Sequence, residues 1–145
     1  MDESKNILLV TNSASDEEIR LVREAFTKAA QEGLHMRLSL VHVIPNLPTC
    51  YFNIPSMAQL AEQYYTEAKN CLIATGDALG VAKKDQWLIT GRIKTEVLRL
   101  AEKLHTQFIL ASSVSIQDLH ASIESKDIHP TQIKNINNLA ASNLI

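Results

Sequence analysis

Short apolar runs rich in branched residues alternate along this chain with segments whose apolar residues recur every three or four positions, and this alternation constrains the fold most. Residues 6–11 (NILLVT) read as a buried strand that ends in the polar cluster Asn12, Ser13, Ala14 and Ser15. Ser15 stands three residues before Glu18, the spacing of a capping box. Ile19, Val22, Phe26 and Ala29 then follow at helical spacing up to a stop at Gly33. Residues 37–44 (RLSLVHVI) repeat the strand signal, and Pro45, Pro48 and Pro55 punctuate the loop after it. Ser56 and Gln59 again have capping-box spacing. Leu60, Tyr64, Cys71, Leu72 and Leu79 mark the apolar face of a long helix that ends at Gly80. Residues 86–90 (QWLIT) predict a third strand, broken by Gly91. Ile93, Val97, Leu98, Ala101 and Leu104 lay out a third helix, and residues 107–112 (QFILAS) a fourth strand.

Strands that read as continuous apolar runs and alternate with helices of ten or more residues are parallel strands covered on both faces. The fold class is therefore α/β, doubly wound. Beyond Ser113 the pattern thins. Residues 118–125 suit a turn or two of helix, Pro130 interrupts, and residues 131–141 place Ile133, Ile136, Leu139 and Ala140 on one helical face. Only residues 143–145 are then left for a fifth, very short strand.

Length and composition set the remaining bounds. A chain of 145 residues, 46% hydrophobic, can bury one core without disulfides or metal, and a single domain over 1–145 is expected. The 14 basic and 16 acidic residues leave a net charge of -2 with no long block of either sign, which argues against nucleic acid or an anionic membrane as partner. Cys50 and Cys71 are too far apart for a CxxC motif and read as free thiols. The opening residues lack the basic start and apolar run of a signal peptide, and no stretch reaches the length of a membrane span, so a cytoplasmic protein is expected.

In doubly wound sheets ligands bind beyond the carboxyl ends of the strands, so the loops after the first and fourth strands carry the chemistry. Neither contains GxGxxG or a Walker A sequence. The first strand ends in neutral Thr11 and Asn12, where a receiver domain needs carboxylates for Mg²⁺. His42, inside an apolar strand, reads as a satisfied core histidine, and Val43 and Trp87 as core. His105, His120 and His129 lack metal-ligand spacing. No nucleophile, base and orienting group converge, so no catalytic residue, metal or tightly held cofactor is expected.

Taken in order, residues 6–13, the LVHV segment of Leu40 to Val43, the block TGRIKTEVLRLAEKLHTQFILAS over residues 90–112, and Ser113 resemble the universal stress protein family over residues 6–113. The resemblance implies an adenine nucleotide alpha hydrolase-like, Rossmann-like sheet of order 3-2-1-4-5. It also implies a homodimer paired through the region of the fifth strand. In nucleotide-binding members an Asp after the first strand and the Val of the second contact adenine, and a glycine loop after the fourth strand cradles the phosphates. Those positions fall here on Asn12, Val43, Ser112, Ser115 and Ser125, with Ser113 beside them. None of the loop positions is glycine, and no glycine follows Gly91. Registered instead from the C-terminus, the last pair falls on Pro130 and Thr131, which restores the hydroxyl alone.

Asn12 thus reads either as a turn residue bonded to local backbone or as a remnant adenine contact. Ser112, Ser113 and Ser115 read either as a solvated loop or as part of a small-ligand site. Three functions compete: a non-catalytic stress-response module without tight ATP binding, an adenine-nucleotide (ATP or AMP) sensor with a divergent phosphate loop, and a nucleotide-cleaving enzyme. The loop over residues 45–55 carries Leu47, Tyr51, Phe52 and Ile54, an apolar content that suits a flap on its own domain, a ligand lid or a contact for a protein partner.

Overall fold

The computed structural model describes residues 5–46, 53–120 and 132–139. Five strands alternate with four helices: β1 (Lys5–Val10), α1 (Asp16–Gln31), β2 (Met36–Ile44), α2 (Pro55–Leu79), β3 (Gln86–Thr90), α3 (Ile93–Lys103), β4 (Phe108–Ala111), α4 (Ser113–His120) and β5 (Gln132–Asn135). Short 3-10 turns occupy Lys83–Asp85 and Ile136–Asn138. All strand pairs are parallel, and the order across the sheet is β3-β2-β1-β4-β5, as the resemblance implied.

Successive residues of a strand point to opposite faces, so the apolar run of β1 serves two cores at once. Leu8 and Val10 join Val41, Val43, Ile109 and Ala111 beneath Val97, Leu100 and Ala101 of α3 and Leu119 of α4. Ile7 and Leu9 join Leu40 and Leu110 beneath Val22 of α1, Leu72 of α2 and the C-terminal pair Ile136 and Leu139. This two-sided cover is the doubly wound arrangement. It sets the carboxyl ends of β1, β2 and β4 side by side.

The α1 capping box forms as the spacing predicts: the Glu18 N–H donates to Ser15 Oγ at 3.1 Å, and the Ser15 N–H donates to Glu18 Oε1 at 2.9 Å. The second expected box, at Ser56 and Gln59, is not the start of α2. That helix begins at Pro55 with Ile54 as an N-cap that makes no side-chain bond, because proline's fixed φ already suits the first helical position. Tyr64, expected to face inward, is 44% exposed and Tyr65 is 50% exposed. The buried residues of α2, Ala68, Leu72, Thr75 and Gly76, all lie in its C-terminal half, so the N-terminal half that carries both tyrosines is the less covered one. Trp87, expected in the core, is half-buried against it and carries the Lys103 ammonium 5.2 Å from its ring centroid.

The C-terminal third departs most from expectation. The fifth strand is Gln132–Asn135, registered on β4 through Ile109 and Ile133, and not residues 143–145, which lie outside the described residues. The helical spacing of Ile133, Ile136 and Leu139 belongs instead to a strand followed by a 3-10 turn; apolar residues three apart fit either conformation, and pairing with β4 decides between them. Of the turn or two of helix expected over 118–125, only residues 118–120 are described, as the end of α4, which starts five residues earlier, directly after β4. Ser125, Pro130, Thr131 and most of the apolar loop, residues 47–52, lie outside the described residues.

Candidate functional site

Beyond β1 the chain leaves the sheet through a tight turn. The Thr11 N–H still donates to the Val41 carbonyl at 2.9 Å, and the Ala14 N–H closes back onto the Thr11 carbonyl at 3.2 Å. Ser13 sits inside this turn at φ +60°, a left-handed conformation that costs a non-glycine residue about 1 kcal/mol. The turn aims Asn12 across the end of the sheet at β2. There its amide grips the main chain of Val43 at both ends: the Val43 N–H donates to Asn12 Oδ1 at 2.9 Å, and Asn12 Nδ2 donates to the Val43 carbonyl at 2.8 Å. The Asn12 side chain therefore bonds backbone, but on the neighbouring strand and not in its own turn.

The serines complete the same end of the sheet. Ser112 acts as N-cap of α4: the Ile116 N–H donates to its carbonyl at 2.9 Å and the Ser115 N–H to its Oγ at 3.3 Å. Ser115 is buried, and its hydroxyl donates to the Asn12 carbonyl at 2.9 Å, tying α4 to the first turn. Ser113 is exposed and accepts from Asn135 Nδ2 at 2.9 Å. The network continues through residues the sequence reading did not single out as site residues. The Asn137 N–H donates to Asn135 Oδ1, and Asn137 Nδ2 reaches Glu18 Oε2, each at 2.9 Å, so the α1 cap and the C-terminal turn share one carboxylate. The capping-box spacing points to Glu18; nothing local in the asparagine-rich stretch 135–138 announces its partner.

Beside the Asn12–Val43 clamp opens a cleft of about 710 Å³, within the range of small-molecule sites. Asn12 and Val43 line it, as do Pro45, Asn46, Gly91, Arg92, Ile93, Lys94 and Asp118. Ser112, Ser113 and Ser115 are not on its wall. Gly91 turns from β3 into α3 at φ +154°, a conformation that favours glycine, and a Cβ there would lie 2.8 Å from Glu96 Cγ and push that side chain aside.

On the opposite face of the sheet Thr11 Oγ1 lies 2.7 Å from His42 Nδ1 and 3.3 Å from the Val41 carbonyl. Burial pushes the His42 pKa below the ordinary histidine value. The pair has the spacing of a nucleophile and its base, but Thr11 is only 1% exposed, beyond the reach of a substrate. Among the described residues no group of three or more His, Cys, Asp or Glu could hold a metal ion, and no helix is long and apolar enough to cross a membrane.

The parallel order 3-2-1-4-5, covered on both faces and with its polar end at the carboxyl ends of β1, β2 and β4, defines the Rossmann-like α/β class. Within that class, the structure of a universal stress protein from Archaeoglobus fulgidus superposes on 90% of this chain and 97% of its own with a TM-score of 0.55 at 13% identity. The hypothetical protein MJ0577 superposes on 90% of this chain and 95% of its own with a TM-score of 0.59 at 20% identity. No family model matches the chain. In sequence, universal stress protein A homolog 1 of Coxiella burnetii is 32% identical over 96 residues, 63% of this chain and 67% of that protein. The chain belongs to the universal stress protein family.

Proposed function

We propose that this chain is a non-catalytic stress-response module, a cytoplasmic homodimer that holds no ATP tightly. The observation that carries this reading is the clamp between Asn12 and Val43. Both polar groups of the Val43 main chain, and both ends of the Asn12 amide, are already bonded at 2.8 and 2.9 Å. A purine edge seeking those groups has to break two satisfied hydrogen bonds, and a buried group left unpaired costs about 1 to 3 kcal/mol.

The phosphate side supports the same conclusion. A cradle for phosphate needs uncovered N–H groups and positive φ, which glycine allows and serine resists. Each non-glycine residue forced into that conformation costs roughly 1 to 2 kcal/mol. Here the Ser115 N–H is already spent on Ser112 Oγ. The homodimer reading draws on β5, whose outer edge is unpaired among the described residues.

A second reading, an adenine-nucleotide sensor, draws on Arg92 and Lys94, two cations on the wall of the cleft that Asn12 lines. Calorimetric titration with Mg-ATP and with AMP decides between the two. The module binds neither below about 1 mM; binding of either at about 10 µM or tighter overturns the module and establishes the sensor.

A further inference from the structure

The cleft beside Asn12 holds charges of both signs that the protein does not pair with each other. Arg92, the exposed residue that precedes α3, and Asp118, exposed on α4, both line it, and among the described residues neither has an ion-pair partner. Elsewhere Arg20, Arg37 and Arg99 each meet a carboxylate, whereas the exposed Arg23, like Arg92, has no ion-pair partner among the described residues. Lys94 of α3 lines it too and already has an interaction of its own; the rest of the wall is apolar where Val43, Pro45 and Ile93 contribute. The Asn12 amide and the Val43 main chain also line the cleft, but they are occupied with each other and offer a ligand little.

A cationic and an anionic side chain, one at the N-cap of α3 and one on α4, facing one small cleft with an apolar wall, complement a molecule with the opposite arrangement. We infer that this cleft binds a free α-amino acid, its carboxylate on Arg92, its ammonium on Asp118 and its side chain against Val43, Pro45 and Ile93. A guanidinium suits a carboxylate because its planar fork can donate two parallel hydrogen bonds. A carboxylate is the natural acceptor for an ammonium, which only donates. A plain anion uses Arg92 but meets Asp118 as a like charge and leaves it unpaired, and a plain cation uses Asp118 but meets Arg92 and Lys94. The cleft of about 710 Å³ has room for a ligand of this size. The inference rests on the reading of the cleft as free of tightly bound nucleotide.

The test is NMR titration of the full chain with L-leucine. 4-Methylpentanoate, which lacks the ammonium, and isopentylamine, which lacks the carboxylate, serve as half-ligands. Leucine is expected to give saturable shifts at the amides of Gly91, Arg92, Ile93 and Asp118, and each half-ligand to bind at least about tenfold more weakly. Arg92→Gln is expected to weaken leucine about tenfold and leave isopentylamine unchanged; Asp118→Asn is expected to weaken leucine similarly and leave 4-methylpentanoate unchanged. Both positions are exposed, so the fold tolerates the changes, and the unperturbed remainder of each spectrum verifies it. The inference is overturned if leucine gives no saturable shift at the cleft up to about 10 mM, or if both variants bind it as the native chain does. Tight Mg-ATP binding overturns the module reading whatever leucine does, whereas failure of leucine alone leaves that reading standing.

Discussion

At the scale of single residues, the site is decided by one amide. Asparagine carries a donor and an acceptor in one plane and can satisfy both the N–H and the carbonyl of Val43; a carboxylate can satisfy only the N–H. Asn12→Asp is therefore expected to leave the Val43 carbonyl without its donor and facing a negative oxygen. The loss is about 1 to 2 kcal/mol, read as a lower urea midpoint at unchanged slope. A variant as stable as the native chain would show that the clamp contributes nothing. His42 is the second residue with a measurable signature. Its pKa is lowered in the folded state by burial, so the folded protein takes up this proton less readily than the unfolded chain. Above the ordinary histidine value of 6.5 both states are neutral and nothing is lost; as pH falls below it the unfolded state gains the proton first and stability declines. Urea unfolding at about pH 7 and about pH 5 is expected to show a steeper decline for the native chain than for His42→Gln, and equal slopes would refute the assignment.

At the scale of elements, the first turn of α1 does two jobs. Ser15 caps the helix, and Glu18 returns the bond while its other oxygen holds Asn137 from the C-terminal turn. Ser15→Ala removes only the cap and is expected to cost about 1 kcal/mol. Glu18→Ala is expected to cost more, because the Asn137 amide loses its partner too, and to raise hydrogen exchange at residues 137–139 where Ser15→Ala does not. Equal exchange in the two variants would place Glu18 in the helix cap alone. The contrast with α2 is instructive. There a proline at the first helical position starts the helix without any capping side chain, so the attractive spacing of Ser56 and Gln59 goes unused.

At the scale of the molecule, the short C-terminal segment belongs to the core. Ile136 is fully buried with Ile7, Leu9, Val22 and Leu110. Ile136→Ala is expected to cost about 3 kcal/mol, as a large-to-small change in a packed interior does, and a loss under about 1 kcal/mol would show the segment to be peripheral. Because β5 pairs only with β4 among the described residues, its outer edge is where a second copy can continue the sheet; sedimentation at about 50 µM is expected to give a dimer, and monomer alone refutes the homodimer. The sequence by itself determined the first four strands, the first three helices and the α1 cap, because apolar periodicity and capping bonds join residues no more than about four apart. Only the tertiary structure decided the rest. A four-residue strand such as Gln132–Asn135 has no signature of its own and becomes a strand by pairing with β4. The clamp of Asn12 on Val43 spans 31 residues, the bond from Ser115 to Asn12 spans 103, and that from Asn137 to Glu18 spans 119. The family pattern singled out Asn12 and Val43 as candidate site residues, yet that they would satisfy each other was not legible. Arg92 and Asp118 were not legible at all, since no local pattern states which charged side chains, one before α3 and one on α4, will face one cleft.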